Sequence, residues 1–277
     1  WQIDGGMHGL ARALTELIEA HGGTVNFEAG VRDIDIRSGQ VTGIRLESGE
    51  RIEGEVVIAN TDVASLQRGD LGRPTASALP RQSPSRRTLS AVTWSMLAET
   101  SGFELSHHNV FFPDNYPQEF TDIFRDQRLP DRPAVYVCAQ DRSPGAGRPE
   151  GPERLFMIAN SPANGDRFTL DDKARNGLEN TVFGLLADCG LEISGAQAHR
   201  VITTPSDFES MFPGTGGALY GAVSHGWRAS FTRPTARSRA RGLYLTGGGV
   251  HPGSGVPMVA ISGRLAAQTV AEDLGLN

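Results

Sequence analysis

Apolar and polar positions change period several times along the chain, and each change marks an element. Met7, Leu10, Leu14, Leu17 and Ile18 recur at helical spacing, which predicts a helix that His21-Gly22-Gly23 stops. Thr24-Val25-Asn26-Phe27 reads as a strand. Val31–Ile36 and Val41–Leu46 then alternate apolar and polar residues around turns at Ser38-Gly39 and Ser48-Gly49, with Arg51-Ile52-Glu53 as a third strand. That pattern predicts an antiparallel meander with one wet face. Val56-Val57-Ile58-Ala59 is a continuous apolar run, as expected of a strand buried on both faces of a parallel sheet. Asn60-Thr61-Asp62 supplies a helix cap behind it.

Residues 68–87 are rich in Pro, Ser and Arg and read as a connection between domains. Longer strands follow at Leu89–Glu99, Asn109–Phe112, Ala134–Ala139 and Arg154–Ala159. A helix is expected near Leu170–Asp188 and a strand near Gln197–Thr204. Phe212–Trp227 is a glycine-rich loop. A last strand, Gly242–Thr246, enters a glycine loop and then a helix from about Pro257 to Asp273. The predicted fold class is α/β with an α+β insert. Residues 1–67 and 241–277 are two pieces of one nucleotide-binding domain, and residues 68–240 form an inserted mixed-sheet domain.

Composition narrows the chemistry. Twenty-six basic against 32 acidic residues give a net charge of −6, which argues against nucleic acid as a partner. Lys173 is the only lysine. Cys138 and Cys189 lie far apart, match no metal-ligand spacing and read as reduced thiols in or near a core. No apolar run is long enough to span a bilayer, and the opening residues lack a signal-peptide pattern. The chain has no initiator Met and is expected to be a portion of a longer protein.

Tyr244–Pro257 carries the most chemistry. Gly247, Gly248, Gly249, Gly253 and Gly255 allow close approach to a flat ligand. The helix that starts at Val256-Pro257-Met258 presents free N–H groups and positive partial charge, suited to a reduced flavin. An ordinary strand-to-helix turn is the alternative. No phosphate-loop Lys-Ser/Thr is present, so nucleotide hydrolysis is unsupported.

This stretch, continued through Met258-Val259-Ala260, resembles the C-terminal flavin motif of the bacterial phytoene-desaturase family. Gly5-Gly6-Met7-His8-Gly9-Leu10 through Ile58-Ala59-Asn60-Thr61-Asp62 is similar to that family's middle FAD segment, and His107-His108-Asn109-Val110-Phe111-Phe112 to part of its insert. The resemblance covers nearly the whole chain. Gly247-Gly248-Gly249-Val250-His251-Pro252, Met258 after Pro257, Thr93–Thr100 and Asn160–Asp166 look more like the branch that desaturates 1-hydroxycarotenoids at the 3,4 bond.

The resemblance implies a glutathione-reductase-type Rossmann-like domain that is incomplete here. The family's N-terminal strand–GxGxxG–helix, which cradles the FAD pyrophosphate, is absent from this sequence and is expected from a missing segment. It also implies FAD as cofactor and an acyclic carotenoid as substrate. An apolar tunnel and peripheral association with the cytoplasmic side of the bacterial inner membrane follow from that substrate. Gly247, Gly248, Gly249, Gly253, Gly255, Val256, Pro257 and Met258 are the expected flavin contacts, with Val31 as a backbone contact to adenine or a plain core residue. His251 either relays a proton or braces the loop. Asn60 and Asp62 lie near the adenosine half or simply cap a helix. His107 and His108 are read as structural, because neighbours on a strand point to opposite faces. Arg228, Arg233, Arg237, Arg239 and Arg241 form a solvated face or meet anionic lipid.

Overall fold

A computed structural model describes residues 3, 6–79, 87–142, 148–195, 199–222 and 233–276. It has a mixed α/β fold with two hydrophobic cores.

The smaller core belongs to the ends of the chain. Helix α1 spans Gly6–Ala20. Strands β1 (Val31–Arg37), β2 (Gln40–Leu46) and β3 (Arg51–Glu53) form the expected meander. Strand β4 (Val57–Ala59) pairs in parallel with β11 (Leu243–Leu245), in the register Val57↔Leu243, Ile58↔Tyr244 and Ala59↔Leu245. Residues almost two hundred positions apart in sequence thus share one small sheet. The meander is fastened to it by the Val41 amide donating to the Arg241 carbonyl at 2.9 Å.

Two expectations fail here. Thr24–Phe27 is not a strand, for it has no neighbouring strand to pair with among the described residues. Strand β4 is not covered on both faces, since Ile58 is 45% exposed. The apolar side of α1 is bare as well: Met7, Leu14, Leu17 and Ile18 are all exposed and no α1 residue is buried.

The proline-rich connection also proved to be core. Helix α2 (Val63–Arg68) is followed by α3 (Arg73–Ala78), and Leu66, Ala78 and Leu79 are buried in the smaller core. Pro74 sits in the first turn of α3, where its missing N–H costs nothing. A composition suited to a loop was here a helix start. Residues 80–86 lie outside the described residues.

The insert is a six-stranded sheet in the order β10-β5-β8-β7-β6, with β9 paired to β5. Its strands are β5 (Ser90–Gly102), β6 (His108–Phe111), β7 (Val135–Ala139), β8 (Glu153–Ser161), β9 (Leu191–Ser194) and β10 (Arg200–Thr203). Helix α5 (Asp172–Asp188) covers one face. Its Leu178, Val182, Leu185 and Leu186 recur at one helical stripe and pack on Trp94, Val137, Leu155 and Met157. The Trp94 indole N–H donates to Glu179 at 2.9 Å, so the largest buried ring is satisfied.

The opposite face of this sheet is open. Leu97, Val110 and Val201 are exposed there, with Phe156, Ile158 and Tyr136 half-buried among them. Helix α4 (Tyr116–Phe120), continued by a π-helical turn at Thr121–Asp126, and helix α6 (Pro205–Met211) complete the insert. Arg87 ties its parts together, donating to Asp166 at 2.7 Å and to the Ala163 and Gly214 carbonyls at 3.2 Å.

Candidate functional site

Strands β4 and β11 end side by side, and everything that follows them converges. The Thr246 amide donates to the Ala59 carbonyl at 3.0 Å, so the pairing runs one residue past the strands. After β4, Asp62 caps α2 by accepting from the Ala64 amide at 2.8 Å. After β11, the loop 246–255 leads into α7 (Val256–Leu274).

Gly247 lies against Asn60. A Cβ placed there would stand 2.5 Å from Asn60 Oδ1, and its φ of 113° is one that side-chain-bearing residues rarely adopt. The backbone therefore favours glycine, and exposed Asn60 would have to turn aside for any other residue. The Gly247 amide is itself occupied, donating to buried Ser262 Oγ of α7 at 3.2 Å. The Val250 amide donates to the Gly247 carbonyl and the His251 amide to the Pro234 carbonyl.

The other end of the loop is unencumbered. Gly255 precedes α7 with φ 109° and no side-chain cap, and Gly255, Val256, Pro257 and Met258 are all exposed. Helix starts leave their first N–H groups without partners inside the helix. Among the described residues, no group of this chain takes the Val256 and Met258 amides. A 19-residue helix thus directs its positive end, uncapped, at open space beside a glycine loop. Such an end can hold an anionic or electron-rich flat ligand.

Arg233 sets the shape of the loop. Its guanidinium donates to the Gly248 carbonyl and, at 3.2 Å, to the Tyr220 carbonyl. Across a planar trans peptide the Gly249 N–H must then point away from Arg233. Burial pushes the Arg233 guanidinium below its ordinary range, opposed by the nearby Asp62 carboxylate.

A family model described as flavin containing amine oxidoreductase matches residues 1–271. The chain belongs to that family. It is 48% identical over 275 residues, 99% of this chain and 52% of the relative, to a hydroxyneurosporene desaturase of Rubrivivax gelatinosus. It is 41% identical over 274 residues to one from Cereibacter sphaeroides, covering 99% of this chain and 54% of that protein. A 4,4'-diapolycopene oxygenase of Methylomonas is 28% identical over 99% of this chain and 55% of that protein. The chain spans about half the length of the curated relatives it matches.

FAD is the cofactor that this membership brings, and the uncapped α7 start with its glycine approach fits one side of a flavin. Within this amine oxidoreductase chain the predicted contacts fall into three groups. Gly247, Gly248, Gly249, Gly253 and His251 lie in the loop held by Ser262 and Arg233. Gly255, Val256, Pro257 and Met258 form its exposed exit. Val31 is elsewhere, opening β1 opposite Leu46, six residues (about 20 Å of strand) from Arg37 at the turn beside Arg241.

Of the described arginines in the cluster, Arg237, Arg239 and Arg241 are exposed and Arg233 alone is half-buried. Arg233 is turned into the loop, whereas Arg237 pairs with Asp273 of α7 at 2.7 Å, and Asp273 also accepts from the Tyr244 hydroxyl. Arg228 lies outside the described residues. Sequence reading gave no signal for Arg233 as a loop brace or for Ser262 as the acceptor for Gly247. Neither residue stands near the loop in sequence order in a way that spacing reveals.

The premise that His107 and His108 point to opposite faces does not hold. Strand β6 begins at His108, and His107 precedes it in a turn whose carbonyl accepts from the Ala139 amide at 2.9 Å. Freed from strand alternation, the His107 ring swings to within 4.4 Å of the His108 ring, centroid to centroid. Both meet Cys138 of the facing strand. Cys138 is half-buried and Cys189 exposed, and both are free thiols. Burial, with a hydrogen bond to Cys138, pushes the Tyr136 hydroxyl up to about 12.

Among the described residues, the insert has the open sheet face and a cavity of about 390 Å³ whose lining joins Leu129, Phe168 and Leu170 to Gln127, Arg128 and Asn164.

Proposed function

We propose that this chain is the larger part of the flavin site and the substrate domain of a carotenoid desaturase. In our reading the whole protein inserts a C=C bond at the 3,4 position of an acyclic 1-hydroxy- or 1-methoxycarotenoid. The observation that carries the reading is the β11–glycine loop–α7 unit, with its exposed, uncapped helix start, in a chain similar to hydroxyneurosporene desaturases over 99% of its length. FAD, when bound, supplies the acceptor for the two electrons that leave the substrate C–C bond.

The chain's own residues position the reactants. Ser262 and Arg233 fix the loop, and the Val256 and Met258 amides stabilise negative charge on the ring they meet. A cation developing on a polyene spreads along it, so precise placement matters more than a strong base. His251 accordingly braces the loop in this reading. The open sheet face, with Leu97, Val110, Phe156, Ile158 and Val201, offers apolar area to a polyene.

We further infer that a segment with a GxGxxG turn joins the β4–β11 sheet and cradles the FAD pyrophosphate. The bare apolar faces of α1 and Ile58 support this, because parallel sheets are otherwise covered on both sides. A carotenoid dissolves in lipid, so the protein would dock peripherally on the cytoplasmic side of the bacterial inner membrane. No described helix is long and apolar enough to cross a membrane.

Anaerobic mixing of the flavin-loaded, full-length protein with candidate carotenoids tests the reading. Hydroxyneurosporene should bleach the flavin and yield the 3,4-desaturated product. Bleaching by phytoene alone would assign the protein to an earlier desaturation, and a carotenoid bound without bleaching would make it a carrier.

A further inference from the structure

At the β6–β7 edge of the insert, two adjacent histidines meet a cysteine thirty positions further along the chain. One ligand atom each from His107, His108 and Cys138 lies within 4.8 Å of the others. We propose that these three residues bind a borderline-soft divalent cation of the zinc class, with two imidazole nitrogens and one thiolate.

The geometry supports coordination on three counts. His107 Nδ1 stands 2.7 Å from the Arg142 carbonyl, which can only accept, so Nδ1 carries the proton and Nε2 presents its lone pair. That Nε2 faces Cys138 Sγ at 3.7 Å. Tetrahedral bonds of about 2.05 Å to nitrogen and 2.3 Å to sulfur would set these two atoms about 3.6 Å apart. The pair therefore needs almost no movement to take up a metal in place of the thiol proton.

The second count is the support behind the ligands. Histidines that hold metals usually donate their other N–H to a carbonyl or carboxylate, which fixes ring and tautomer. Arg142 does this for His107, and Arg142 is itself anchored by buried Glu153 at 2.7 Å. His108 Nδ1 is hydrogen-bonded to the Tyr136 hydroxyl at 2.7 Å, which orients the second ring. The third count is access. His108 is exposed on the open sheet face, directly across from Cys138 in the β6–β7 register, leaving room for a fourth ligand from solvent. A set of two nitrogens and one sulfur selects zinc-class metals over magnesium and calcium, which take oxygen.

The experiment uses the full chain with Zn²⁺ in calorimetry and Co²⁺ as the spectroscopic probe. One Co²⁺ should bind with tetrahedral d–d bands and a thiolate charge-transfer band. C138S should abolish that band, and H107Q and H108Q should each weaken binding by at least about tenfold, judged against the ten- to hundredfold typical of losing even a supporting partner. C189S should change nothing. An octahedral spectrum without the sulfur band, or affinity indifferent to all three variants, overturns the proposal. Should a ligand variant misfold, the native chain decides: Zn²⁺ must shield Cys138 from a thiol reagent while exposed Cys189 continues to react, and equal reaction of both refutes the site.

Discussion

Replacing Gly247 by alanine should damage the loop for two separable reasons. The new Cβ would lie 2.5 Å from Asn60 Oδ1, well inside the about 3.5 Å at which such atoms rest. Asn60 is exposed, so its side chain can turn aside at the cost of about 0.5–1.5 kcal/mol for a less favourable rotamer. The φ of 113° adds about 1–3 kcal/mol of backbone strain. Gly247→Ala should therefore lose about 1.5–4.5 kcal/mol in urea unfolding monitored by far-UV circular dichroism. In the Asn60→Ala background the clash vanishes and only the strain remains, so the two changes should couple by about 0.5–1.5 kcal/mol. Gly263, inside α7, is the control. Its Cβ would find only Thr246 Oγ1 at 3.9 Å, so Gly263→Ala should be neutral or stabilise by up to about 1 kcal/mol through helix propensity. A harmless Gly247→Ala, or a cost untouched by Asn60→Ala, would refute the packing described for the loop.

The buried Arg142–Glu153 pair anchors the insert, and Glu153→Gln, which leaves the arginine unpaired, should cost about 3–5 kcal/mol in denaturant unfolding. The guanidinium of Arg142 holds the Glu153 carboxyl below its ordinary range. Its contribution should thus be complete above the unfolded glutamate value of about 4.3 and drain away as pH falls through the lower folded value. The native-minus-Glu153→Gln stability difference should shrink on that acid limb; a difference that is flat with pH there would contradict the pairing. On the proposal that His251 braces the loop, His251→Gln should lower turnover of the flavin-loaded, full-length protein by less than about tenfold. A fall of about 10²–10⁴ in steady-state carotenoid desaturation would instead mark proton transfer.

How far the sequence led depended on whether a residue's role was local. The meander, the Asp62 cap and the α5 stripe were legible because period, turn chemistry and capping act over a few positions. Helix α3 was not, since Pro74 and its neighbours look like a linker until Leu66 and Leu79 pack beside them. The Thr24–Phe27 run had the composition of a strand and lacked only a partner. Around the loop, the glycines announced themselves, whereas Arg233 and Ser262 act through the fold and left no spacing to read. The His107–His108–Cys138 cluster escaped for a related reason. Strand alternation forbids two adjacent histidines a common site, and the rule stopped applying one residue before β6 begins.

Amide hydrogen exchange on the full-length protein, with and without FAD, tests the flavin reading most directly. Protection on adding FAD should appear at Gly248–Gly249 and at Val256 and Met258, while Gly247, already bonded to Ser262, should change little. FAD bound tightly with these amides still exchanging freely, and protection confined to other segments, would contradict it.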